Sequence, residues 1–249
     1  MSEAEVNHAA AGRAHWRGRP LAAVLFDLDG TLLDTVADIA SALNLAMMEF
    51  GWAPLALREV RSMVGGGSLV LIQRAAAAQS RVPGAAAQTA MLERFFHHYG
   101  ALHESGAYTA QPYPGAAQSL QALHDAGLHI AVVTNKQEAF ARSLLLGLGL
   151  SGCVDAVVGG DTCARRKPDP EPLFFACESL KVPPSHALMV GDSINDVLAA
   201  QAAHIPVVCV SYGYNEGQDP RTLPCDALLD TLADLPPLLM ARRTPEARG

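Results

Sequence analysis

No CxxC pair occurs in this sequence. Its five cysteines, Cys153, Cys163, Cys177, Cys209 and Cys225, are dispersed and odd in number, a pattern of reduced thiols and not of a disulfide framework or a zinc module. No apolar run is long enough to span a bilayer. Positive charge is also short: 18 Lys and Arg stand against 25 Asp and Glu, a formal net charge of -7. An acidic chain draws neither nucleic acid nor an anionic membrane, so both are excluded as main partners. A phosphorylated small molecule is not excluded, because it needs only local positive charge. Met1 to Arg19 is polar and alanine-rich and lacks the apolar core of a secretory signal. It reads as a loosely ordered extension, residues 1–19. Together with the reduced thiols this predicts a cytoplasmic protein.

What is present begins with Leu21-Ala-Ala-Val-Leu-Phe26, an apolar run without helical period. Such a run reads as a strand buried on both faces, as in a parallel sheet covered by helices. Asp27, Asp29, Gly30 and Thr31 follow it directly. Val36 to Phe50 then repeats apolar residues at helical spacing, with Thr35 and Asp38 placed to cap the helix and Gly51 to end it. Helices are also predicted near 55–64, 68–80 and 85–102, separated by Gly65-Gly66-Gly67 and Pro83-Gly84. No strand pattern interrupts this block. From Ala116 the rhythm changes to alternating helix and strand, with strands at 128–133, 156–158, 187–190, 207–210 and a last short one at 227–229. The expected fold is therefore α/β: a doubly wound parallel Rossmann-like core, 20–34 and 110–249, with an inserted all-helical domain at 35–109.

Chemically distinctive residues follow three of these strands, at the end where a doubly wound sheet binds its ligand. Asp27 stands nearest its strand, where a carboxylate can attack phosphorus and carry the phosphoryl group covalently. Asp29 lies one strand period further on and can protonate a leaving alkoxide, then deprotonate water. Thr134 and Asn135 offer a hydroxyl, an amide and backbone N–H groups to phosphate oxygens, although a plain strand-end turn explains these two equally well. Lys167, ahead of Pro168, can neutralise a phosphoryl group. Asp192 and Asp196 are four apart at a helix start and can face one spot. So many carboxylates repel one another without a cation, and an oxygen-only set selects a hard ion, magnesium first. His97, His98 and His103 read as a solvated helix face more readily than as a metal site.

Asp27-Leu28-Asp29-Gly30-Thr31, Thr134-Asn135, Lys167-Pro168 and Gly191-Asp192-x-x-x-Asp196 resemble, in order, the four motifs of the haloacid dehalogenase superfamily, most of whose members are phosphatases. The helical insert sits where that superfamily places a mobile cap. The second aspartate, Asp29, favours phosphate chemistry within it. A closer resemblance, to the bacterial phosphoglycolate phosphatase family, rests on Met63-Val64-Gly65-Gly66-Gly67, Pro112-Tyr113-Pro114-Gly115, Thr134-Asn135-Lys136, Gly159-Gly160-Asp161-Thr162 and Ser211-Tyr212-Gly213-Tyr214. His204 departs from it, standing where a glycine is usual. The resemblance implies Mg2+ held by Asp27, Asp192 and the main-chain carbonyl of Asp29, support from Asp196, Gly30 and Thr31, and a substrate loop at Gly65, Gly66 and Gly67. It implies hydrolysis of a small phosphorylated metabolite, 2-phosphoglycolate first, by a monomer or homodimer whose cap hinges near Asp34-Thr35 and 111–114. Alternatives are an amino-sugar phosphate such as N-acetylmuramic acid 6-phosphate, a phosphomutase, and a catalytically silent binding protein.

Overall fold

The computed structural model describes residues 14–240. Its centre is a six-stranded, wholly parallel sheet in the order β10-β9-β8-β3-β6-β7. These strands are β3 (Ala23–Phe26), β6 (His129–Val133), β7 (Ala156–Val158), β8 (Ala187–Gly191), β9 (Val207–Val210) and β10 (Ala227–Leu229). The apolar run that opens the core is buried on both faces, as its lack of alternation predicts. Val24 and Phe26 pack into one apolar layer, and Ala23 and Leu25 into the other. The helices over the two faces are α5 (Ala116–Asp125), α6 (Glu138–Gly147), α7 (Glu171–Ser179), α8 (Ile194–Ala202) and α9 (Leu235–Met240).

The order places the site. From β3 the chain moves outward through β6 and β7, then returns to the other flank of β3 for β8, β9 and β10. The direction reverses between β3 and β8, and open α/β sheets bind ligands at that reversal. Phe26 lies beside both Val132 and Val190, so the residues just after β3, β6 and β8 emerge side by side.

Residues 36–104 hold α1 (Val36–Glu49), α2 (Leu57–Arg61), α3 (Ser68–Ala78) and α4 (Ala85–Glu104), and no strand. They share a third apolar cluster that includes Ile39, Leu43, Ile72, Phe95 and Tyr99, and Tyr214 enters it from the core. The chain leaves the core through β4 (Leu33–Asp34) and returns through β5 (Gln111–Pro112), and these two pair antiparallel.

Two expectations need correction. The loose extension predicted for 1–19 fails at its end: β1 (His15–Trp16) and β2 (Arg19–Pro20) form an antiparallel hairpin, and Trp16 is buried in the core. Burial of the Trp16 ring offsets part of the cost of ordering the segment. Residues 1–13 and 241–249 lie outside the described residues. Thr35 and Asp38 do not cap α1. Asp38 accepts instead from the Thr109 and Ala110 N–H groups at 2.7 and 2.9 Å, tying α1 to the returning chain. His204 takes a left-handed φ of 56°, the strain expected of a side chain where glycine is usual.

Candidate active site

Asp27 is the first residue after β3 and is buried, with its N–H donating to Val190 O at 2.9 Å. Its Oδ1 accepts from Lys167 Nζ at 2.8 Å. Its Oδ2 accepts no hydrogen bond from the described residues. Burial pushes the carboxyl up to about 7, against the pull of Lys167 and with the push of Asp196 and Asp29.

Lys167 holds three acceptors at once: Asp27 Oδ1, Asp196 Oδ1 at 2.6 Å and Val133 O at 2.5 Å. Burial alone would strip its charge, but Asp196 and Asp27 outweigh that and hold the ammonium above its ordinary value. Asp196 spends its other oxygen on the Ser193 N–H, the Ser193 hydroxyl and the Asp192 N–H. It therefore fixes the loop that opens α8 as one half of a capping box. Both of its oxygens are already engaged by the protein.

Asp192 follows β8. Its Oδ1 accepts from the Thr31 hydroxyl at 2.9 Å and its Oδ2 from the Tyr214 N–H at 2.7 Å. Gly30, at φ 91°, lets the first loop turn under it, since a Cβ there would meet Asp192 Oδ2 at 2.5 Å. Burial, then the nearby charges of Asp27 and Asp196, push Asp192 well above the carboxylate range. Asp27, Asp192 and Asp196 each offer an oxygen within 4.8 Å of the others. Buried, oxygen-only and mutually repelling, this set suits a hard divalent cation. Asp27 and Asp192 keep lone pairs for one, whereas Asp196 is committed to the loop.

Asp29 sits apart from that cluster. Both its oxygens accept from Lys136 Nζ, at 2.9 and 3.0 Å, and Oδ1 also accepts from the Thr35 hydroxyl at 2.6 Å. The hydroxyl that the sequence assigned to helix capping is thus diverted to a site carboxylate. Lys136 was not singled out by sequence reasoning, although it directly follows Thr134-Asn135 at the end of β6. Its ammonium lies 4.8 Å from the centre of the Tyr99 ring. Burial opposes its charge, but Asp29 and Tyr99 more than restore it.

A cavity of about 50 Å³ lies between the sheet end and the cap, lined by Asp27, Asp29, Thr134, Asn135, Gly65 and Gly67 among others. Gly66 is not among its lining residues; it abuts Val70. Asn135 differs from its assignment in its side chain alone. Its Nδ2 donates to Gly65 O and Lys167 O, both at 2.9 Å, so the carboxamide anchors the cap loop and leaves the backbone N–H as the donor that a phosphate could take. Thr134 Oγ1 accepts from Lys136 N at 3.2 Å, which leaves its hydroxyl hydrogen available to a ligand.

The loop after β9 closes the assembly through polar residues that sequence reasoning left without a role. Tyr214 Oη accepts from the Thr35 N–H at 2.7 Å and donates to Asp34 Oδ1 at 3.0 Å. Glu216 bridges the two layers, taking Arg74 of α3 and Asn195 of α8, each at 2.8 Å. Arg61 of α2 donates to Tyr212 O at 2.7 Å and lies over the Tyr214 ring. The three histidines gather no site. His98 pairs with Glu49, and His103 packs among Tyr99, Tyr108 and Phe140.

This arrangement of strand ends, acids and lysine has counterparts elsewhere. The family model described as haloacid dehalogenase-like hydrolase matches residues 24–210. A phosphoglycolate phosphatase of Nitrosospira multiformis is 41% identical over 221 residues, 88% of this chain and 96% of that protein. One from Rhodospirillum rubrum is 46% identical over 217 residues, 86% of this chain and 88% of that protein. Among solved structures, a predicted phosphoglycolate phosphatase from Haemophilus somnus superposes with a TM-score of 0.79 at 30% identity, covering 86% of this chain and 96% of its own. The matched stretch runs from β3 through β9 and so takes in Asp27, Asp29, Lys136, Lys167, Asp192 and Asp196, with the helical insert among them. This chain belongs to the haloacid dehalogenase-like hydrolases.

Proposed function

We propose that the chain is a magnesium-dependent phosphatase of small phosphate monoesters, with 2-phosphoglycolate as its substrate and an aspartyl-phosphate formed on Asp27. The observation that carries this reading is the asymmetry of Asp27. One oxygen is held by Lys167, and the other is unpartnered in a residue that lines the cavity. The names of the relatives support the substrate.

Asp27 Oδ2 attacks phosphorus, the P–O ester bond breaks, and Asp29 gives its proton to the leaving alkoxide. Water then attacks the phosphoryl group, Asp29 takes the proton, and the bond to Asp27 breaks to release phosphate. Lys167 steadies the negative charge at the nucleophile, and the Thr134 hydroxyl can donate to a phosphoryl oxygen. Asp27, Asp192 and the Asp29 carbonyl would hold the metal, which when bound supplies charge neutralisation at the phosphoryl oxygens. In the present arrangement Asp29 only accepts hydrogen bonds, so it exchanges a partner before it acts as an acid.

The test is phosphate release from 2-phosphoglycolate, sugar phosphates and an amino-sugar phosphate, with and without magnesium. Preference for 2-phosphoglycolate, lost in Asp27→Asn, supports the reading. Preference for the amino-sugar ester transfers the activity to that substrate. No release from any ester refutes it and favours a mutase or a silent binding protein.

A further inference from the structure

The cavity between sheet and cap is apolar on its cap side, where Ile39, Val64, Leu71 and Phe95 face it. Among its lining residues Lys136 is the single cation. This lysine is buried, yet it is not the lysine that holds the nucleophile. Its contacts are the two Asp29 oxygens and the face of Tyr99. An ammonium has three N–H donors, and one carboxylate does not use all of them in good geometry. A neighbouring cavity residue also carries an unsatisfied donor: the Tyr99 hydroxyl is buried without a hydrogen-bond partner among the described residues. A buried donor left open in this way suits an acceptor supplied by a ligand.

The position of Lys136 relative to Asp29 limits what that ligand is. Under the phosphatase reading, on which this inference rests, Asp29 handles the ester oxygen of the leaving group. Lys136 Nζ lies 2.9 Å from Asp29 Oδ1, so it stands within about one further group of that oxygen. In a phosphate ester of an α-hydroxy acid, a single carbon separates the ester oxygen from a carboxylate. That carboxylate falls beside the ammonium. A neutral alcohol would leave the buried ammonium with no new partner.

We propose that Lys136 is the specificity residue of this site, and that it reads the α-carboxylate of a 2-phospho-α-hydroxy acid by sharing its ammonium between that carboxylate and Asp29. The substrate class is then fixed by charge and reach: one carbon between ester oxygen and carboxylate, and little bulk beyond. Tyr99 Oη is placed to donate to the same carboxylate.

The experiment compares kcat/KM on 2-phosphoglycolate with that on 2-hydroxyethyl phosphate, an ester of similar size that carries a neutral hydroxyl in place of the carboxylate, for the wild type, Lys136→Met and Lys136→Arg. p-Nitrophenyl phosphate reports on the chemistry, and thermal melting on the fold. The wild type is expected to prefer the carboxylate ester by about 100-fold, the effect of a buried charge meeting its partner. In Lys136→Met the ratio should fall to near 1, mostly through KM, and Lys136→Arg should keep part of it. An unchanged ratio in Lys136→Met, whatever the loss in rate, overturns the proposal and leaves the lysine as a support for Asp29. A wild type that hydrolyses p-nitrophenyl phosphate but shows no preference for the carboxylate also overturns it, with the phosphatase reading intact. A wild type inactive on all three esters defeats that reading itself. Should the methionine variant not fold, Lys136→Gln carries the same comparison, because the ratio is internal to each protein.

Discussion

Lys167 Nζ and Asp27 Oδ1 lie 2.8 Å apart, both buried, at the end of the central strand. The lysine also answers Asp196, so removing it strands two carboxylates. Lys167→Met should destabilise the fold by about 3–5 kcal/mol at pH 8, the usual cost of breaking a buried pair. It should lower kcat by about 10²–10³-fold, as for loss of one electrostatic contact to a reacting group. Urea titration and phosphate release would check the two effects. A stability unchanged within error would mean that the pair carries no structural weight.

The elevated Asp27 carboxyl makes stability depend on pH in a defined direction. Its folded value is about 7 against an ordinary 3.8, so the folded state binds the proton more tightly than the unfolded chain. That contribution is fully present below about pH 4 and is lost as pH rises through about 7. In metal-free buffer, stability should fall between pH 5 and pH 8 by on the order of 1 kcal/mol per pH unit, before the other groups are counted. Asp27→Asn should flatten the slope and melt higher at pH 8. Melting curves across this range decide it, and a slope that survives the substitution would assign the effect to another acid such as Asp192.

Glu216 joins a cap helix to a core helix through Arg74 and Asn195. Arg74 is one-third exposed and Glu216 mostly buried, so the ion pair should contribute roughly 1 kcal/mol, about fivefold in an equilibrium. Glu216→Ala and Arg74→Met should each raise KM about fivefold if the contact favours the closed cap. The double variant should lose little more than either one. Strict additivity would show that the two side chains act separately.

Trp16 anchors a hairpin that precedes the first strand of the sheet. Trp16→Ala should cost about 3 kcal/mol, as for other buried aromatics cut to alanine. Catalytic constants should stay unchanged below the melting transition, because the hairpin does not line the cavity. A stability loss under 1 kcal/mol would show that the hairpin is only lightly docked.

The residues that end strands were legible because strand ends in a parallel sheet converge by construction. Asp27, Thr134 and Asp192 needed only the β/α rhythm to be brought together. Lys136 was passed over because its position in the sequence marks it as one more strand-end residue. Only the placement of Asp29 and Tyr99 around it shows what it does. Thr35 and Asp38 had the local pattern of a helix cap, yet tertiary partners claimed both side chains. Asn135 had the right residue type for phosphate and is bound instead to two backbone carbonyls. Local signals fail where a side chain has a better partner far away in sequence, and around this site several do.

The paired strands β4 and β5 have a consequence for how such a protein can diversify. Leu33 lies opposite Pro112 and Asp34 opposite Gln111, so the outgoing and returning chains stand one strand spacing apart, about 5 Å. At the chain connection the core therefore asks only that the two ends of its insert be neighbours; the contacts of Asn135, Tyr214 and Glu216 would be remade with a new one. Any module meeting that condition could replace the helical insert with little loss of loop-closure entropy in the host, because the doorway is already shut by its own hydrogen bonds. Evolution, or an engineer, could change the lid of this site as a cassette and leave the acids beneath it untouched.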